Sequence, residues 1–136
     1  MHAKKEVLEK FKDNPRKVYA SMMWSMDEAI GNVIESLKEN KQYDNTIIYF
    51  LSDNGAAMSN DASPFPFKGW KGNQYEGGIK TPMIMTWKNK IKSNTQFDGF
   101  ISALDIFSGV SSATSSIFTP PSVDAMTTSL WEALSI

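Results

Sequence analysis

Asp53 and Asn54 stand side by side and offer a carboxylate and an amide oxygen, hard donors suited to a calcium or magnesium ion. Further along, Lys68-Gly69-Trp70-Lys71-Gly72 sets two cations among glycines, and Tyr75-Glu76-Gly77-Gly78 follows at once. Glycine lets a backbone approach a ligand closely, and a lysine ammonium is a compact charge for an oxyanion. Read alone, each signal also has a plain explanation. Asp-Asn-Gly is a turn, because Asn-Gly is a strong hairpin signal, and two lysines in a glycine-rich loop are ordinary solvated surface.

The elements around these residues narrow the choice. Ile47 to Leu51 is an unbroken apolar run of β-branched, aromatic and aliphatic residues. It predicts a strand over Thr46–Ser52, buried on both faces as in a parallel sheet. Asp53 and Asn54 then sit at its carboxyl end, where open α/β sheets bind ligands. Thr81–Trp87 predicts another strand, with Pro82 near its start, where a missing donor is tolerated. Between the two lies a long loop, Ala56–Phe67, rich in turn formers. Its Phe65 and Phe67, with Trp70 beyond, either line a substrate cleft or pin the loop down.

Upstream, a long amphipathic helix is predicted over about 14–40, with Asn14 as N-cap and Pro15 in the first turn. Tyr19, Met22, Met23, Met26, Ile30, Val33, Ile34 and Leu37 recur at three- and four-residue steps and define its core face. Asp27 lies on that face and is expected to be hydrogen-bonded. Gly31 suggests a close helix–sheet contact. A shorter helix before Asn14 carries Val7, Leu8 and Phe11, and His2, the only histidine, reads as a terminal side chain.

Taken in order, these pieces resemble the sulfatase family of the alkaline-phosphatase superfamily. The resemblance rests on QYDNTIIYFLSDNG (Gln42–Gly55), GWKGNQYEGGIKTPMIM (Gly69–Met85) and SALDIF (Ser102–Phe107), with Tyr19, Asp27 and Gly31 upstream. It implies an α/β fold, a partial alkaline-phosphatase-like sheet flanked by helices. It also implies cleavage of sulfate esters by a metal-assisted formylglycine nucleophile. Carried over residue by residue, Asp53 and Asn54 match metal ligands, for calcium or magnesium, and Lys71 matches the lysine that contacts the sulfate. Glu76 and its neighbouring glycines are read as supports for that loop. A related phosphodiesterase or phosphonate hydrolase, or a non-catalytic α/β binding module, is the alternative.

The sequence also departs from the family. It has no cysteine, no serine in an S-x-P-x-R match and no second histidine. Residues 1–136 are therefore expected to be a single domain, the later portion of a sulfatase catalytic domain lacking its front. Such a chain is expected to be inactive alone, with weak metal binding and an uncovered sheet edge that promotes self-association. After Phe107 the family pattern fades, and a closing helix over Asp124–Leu134 is expected.

Composition restricts the partners. With 41% hydrophobic and 21% charged residues, the chain is that of an ordinary globular protein. Fourteen basic and fifteen acidic residues leave a net charge of −1, which advertises no nucleic-acid or membrane field. No apolar run approaches a membrane span, and the compartment is left open by the absence of cysteine.

Overall fold

The computed structural model describes residues 2–106. The closing helix expected over Asp124–Leu134, and the serine-rich run before it, lie outside the described residues. Helix α1 (Lys5–Lys10) leads to α2 (Lys17–Glu39), then a 3₁₀ turn (Tyr43–Asn45), strand β1 (Ile48–Leu51), a 3₁₀ turn (Met58–Asn60), helix α3 (Glu76–Ile79) and strand β2 (Met83–Thr86).

Helix α2 begins later than expected. The Asn14 side chain does not cap it; its Oδ1 accepts from Arg16 N at 2.8 Å, and its carbonyl accepts from Lys17 N at 3.0 Å. Asn14 thus closes a turn that feeds the helix. At the other end Lys41 takes a left-handed conformation, φ 58°. Gln42 N donates to Leu37 O (2.8 Å) and Lys41 N to Lys38 O (2.9 Å), a Schellman closure that satisfies two otherwise orphaned carbonyls.

The tightest packing joins α1 to α2. Val7 and Ala20 are buried apolar residues, and Ser21, fully buried, donates through Oγ to the Val7 carbonyl at 3.3 Å. Small residues on α2 let α1 approach closely here. Phe11 meets Trp24 edge-on at 6.0 Å, and the Lys10 ammonium lies 4.6 Å from the Trp24 ring centre. Of the expected core face, Met23, Ile30 and Ile34 are half-buried, as is Asp27. Met26 and Val33 are exposed. The expected close contact at Gly31 is absent: a Cβ there would meet nothing within 4 Å.

Strands β1 and β2 pair antiparallel, Ile48 opposite Thr86 and Leu51 opposite Met83. This corrects the parallel arrangement inferred from the apolar run, whose residues are all half-buried. The two strands form the sheet of the described residues, so each has one unpaired edge there. No strand forms over Gly99–Ser102; Phe100 is almost wholly exposed. Just beyond, Ser102 Oγ accepts from Leu104 N (3.3 Å) and Asp105 Oδ2 accepts from Ser102 N (2.7 Å). This reciprocal pair is that of a capping box, with Ser102 at the cap and Asp105 reaching back.

Candidate functional site

Beyond Leu51 the strand hydrogen bonding continues one step, Ser52 N to Pro82 O at 3.4 Å, and the chain then turns. Ser52 Oγ donates to Asn54 O at 2.8 Å and holds that turn closed. Asn54 is half-buried and its Nδ2 donates to Gly55 O at 3.0 Å. That bond uses the donor end of the amide and leaves Oδ1 as its acceptor end. Asp53 is exposed, and none of the ion pairs among the described residues involves it.

Lys71 sits on a turn closed from both sides. Asn73 N donates to Trp70 O at 2.8 Å, and Trp70 N donates to Asn73 Oδ1 at 2.9 Å. Gly72 follows Lys71 with φ +90°, the conformation that the third position of a type II turn reserves for glycine. The Lys71 side chain is exposed and unclaimed by the ion pairs of the described residues.

Two backbone hydrogen bonds tie these turns together. Gly55 N donates to Gly78 O at 2.9 Å, and Lys71 N donates to Ala56 O at 2.8 Å. The approach at Gly55 is so close that a Cβ would fall on the Gly77 carbonyl. Gly77 N in turn donates to Lys68 O at 2.8 Å, and Gly77 and Gly78 are buried. The glycines thus weld the loop carrying Asp53 and Asn54 to the loop carrying Lys71. Glu76 starts α3 and lies 3.7 Å from Lys80 Nζ, an exposed pair at (i, i+4).

The donor chemistry fits a hard divalent cation only in part. Asp53 and Asn54 supply two ligating side chains, three oxygens at most, whereas calcium takes six to eight. Among the described residues, no group of three or more His, Cys, Asp or Glu could hold a metal. No helix among them is long and apolar enough to cross a membrane.

Sequence reasoning passed over the way the lysines are held. Lys68 Nζ lies 4.5 Å from the Tyr75 ring centre, and Lys80 Nζ lies 4.6 Å from that of Phe67. Both pairings cross between segments, so no local spacing announces them. Phe65 is exposed, and Phe67 and Trp70 are half-buried.

The long helix α2 and the small sheet that these turns follow are part of an alkaline-phosphatase-like fold. The chain matches the Sulfatase family model over residues 1–116 and belongs to that family. It is 43% identical over 93 residues to the uncharacterized sulfatase YdeN of Escherichia coli (strain K12), covering 65% of this chain and 16% of that protein. It is 34% identical over 98 residues to human steryl-sulfatase, covering 66% of this chain and 17% of the relative. Human N-acetylgalactosamine-6-sulfatase is 31% identical over 108 residues, covering 76% and 20%. The structure of Ps i-CgsB in complex with k-i-k-neocarrahexaose superposes with a TM-score of 0.78 at 37% identity, over 88% of this chain and 27% of that one. The chain therefore spans under a third of each of these proteins.

Proposed function

We propose that residues 1–136 are one unit, the later portion of a sulfatase catalytic domain, and supply part of a sulfuric ester hydrolase centre. In this reading Asp53 and Asn54 are metal ligands and Lys71 binds the sulfate. The observation that carries it is the Lys71 N to Ala56 O hydrogen bond at 2.8 Å. It holds the turn bearing the cation against the turn bearing the oxygen ligands, which the chemistry needs, because metal and ammonium must reach oxygens of one sulfate group. A calcium or magnesium ion bound there would neutralise charge developing on the sulfuryl oxygens. Lys71 would do the same with its ammonium and orient the ester. Glu76 acts only through the loop it begins.

Nothing in the sequence supplies the nucleophile: there is no cysteine, and no serine in an S-x-P-x-R match. The chain alone is therefore expected to be inactive and to bind its metal weakly. The test is hydrolysis of a chromogenic aryl sulfate by the purified chain with calcium. Release at the uncatalysed rate is expected; turnover that Lys71→Ala abolishes would refute inactivity. A sulfate ester is favoured over a phosphodiester or phosphonate because the relatives reported above are named as sulfatases.

A further inference from the structure

Asn54 and Gly55 form the only Asn-Gly pair in the chain, and such a pair carries a covalent reaction of its own. Glycine sets no side chain beside its nitrogen, so Gly55 N can attack the side-chain amide carbon of Asn54. A bond forms between Gly55 N and Cγ, the Cγ–Nδ2 bond breaks, and ammonia leaves with the proton that Gly55 N gives up. Water then opens the cyclic imide. Opening at Cγ leaves aspartate on an ordinary backbone; opening at the main-chain carbonyl leaves isoaspartate, whose chain runs through Cγ. Nothing is oxidised or reduced. Both residues are only half-buried, so water reaches them.

The folded chain opposes the attack. Gly55 N donates to Gly78 O at 2.9 Å, which ties up the proton the nucleophile must lose. Ser52 Oγ donates to Asn54 O at 2.8 Å, and Asn54 Nδ2 donates to Gly55 O at 3.0 Å. These two bonds fix the backbone and the amide that must turn towards each other. There is no slack at Gly55 either, because a Cβ there would fall on the Gly77 carbonyl. We propose that Asn54 is a site of spontaneous deamidation gated by α3: protected while Gly78 O holds Gly55 N, and reactive when α3 leaves the turn. The reaction proceeds whether or not Asn54 binds a metal. Where the sulfuric-ester reading holds, the aspartate product gives the cation a second carboxylate, and isoaspartate displaces the oxygen ligands by an extra main-chain carbon.

The test is incubation of the full chain at mildly alkaline pH, once folded and once unfolded in guanidinium chloride. Peptide mass spectrometry reads the gain of about 1 Da at residue 54, and an isoaspartate-specific methyl-transfer assay reads the linkage. Unfolded, Asn54 should deamidate faster than any other asparagine of the chain. Folded, it should react at least about tenfold more slowly, because only the locally opened fraction is reactive. Ser52→Ala should speed the folded reaction about two- to tenfold, the scale of one neutral hydrogen bond. Gly77→Ala should speed it further, since its Cβ would press on the Gly69 carbonyl and lift α3. Val7→Ala, which loosens the α1–α2 contact, should leave the rate unchanged and so separates local opening from global unfolding. Equal rates for the folded and unfolded chain, or no deamidation at Asn54 in either, would overturn the proposal. So would folded rates that neither Ser52→Ala nor Gly77→Ala alters, or that Val7→Ala raises as much as Ser52→Ala does.

Discussion

The backbone N–H of Lys71 donates to the carbonyl of Ala56 at 2.8 Å, so a lysine beyond a long loop is fastened to the turn that follows the first strand. The attachment depends on glycine. A Cβ on Gly55 would fall on the Gly77 carbonyl and lie 2.9 Å from the Gly78 Cα, both backbone atoms that cannot swing aside. Gly55→Ala should therefore destabilise the chain by about 1–3 kcal/mol, the range for overpacking. Urea unfolding measures it, and a variant as stable as wild type would mean the two turns separate freely.

Gly31 should behave in the opposite way. It lies within α2, exposed, with open space where a Cβ would go. Gly31→Ala should stabilise by about 0.5–1 kcal/mol through helix propensity alone. A loss of stability in the same urea assay would show that something packs on Gly31 after all.

These two glycines show what could be read from residue order and what could not. The apolar run ahead of Asp53, the turn at Asn54 and the three- and four-residue repeat of α2 are local patterns, and the structure contains the strand, the turn and the helix. The direction of pairing between β1 and β2 is not local; both a parallel and an antiparallel partner accept the same run of half-buried residues. Gly31 and Gly55 look alike in sequence, yet one faces solvent and the other a carbonyl, because contacts between distant segments decide that. The same holds for Lys68 and Lys80, whose aromatic partners come from other turns.

The end of α2 offers a stabilising substitution. Lys41 occupies the left-handed position of a Schellman closure with φ 58°, where a Cβ is penalised and glycine is not. Lys41→Gly should raise the melting temperature, by a few degrees for about 1 kcal/mol in a chain of this size. A lower melting temperature would show that the Lys41 side chain contributes more than its backbone costs.

Alkaline pH should weaken the sheet. Burial raises the Tyr49 phenol above its ordinary value of 10.0, since β1 disfavours the charged form. The folded state thus holds this proton more tightly than the unfolded state. The resulting stability is present below pH 10.0 and is lost as the pH rises through the folded-state value. Tyr49→Phe should flatten that alkaline decline in thermal melts; an unchanged decline would assign it to other groups.

Among the described residues β1 and β2 each keep one unpaired edge, which favours association with further strands. Light scattering should show the mean mass rising with concentration. A monodisperse monomer at high concentration would contradict this.

The central claim is that Asp53, Asn54 and Lys71 address one sulfate group, and titration of isotope-labelled protein with calcium and then sulfate tests it most directly by NMR. Calcium should bind weakly, on the order of millimolar, because the site offers one carboxylate, and should shift the Asp53 and Asn54 signals. Sulfate added next should shift Lys71, and Asp53→Ala should remove the calcium response. Tight calcium binding that survives Asp53→Ala, or sulfate shifts that leave Lys71 unmoved, would contradict the account.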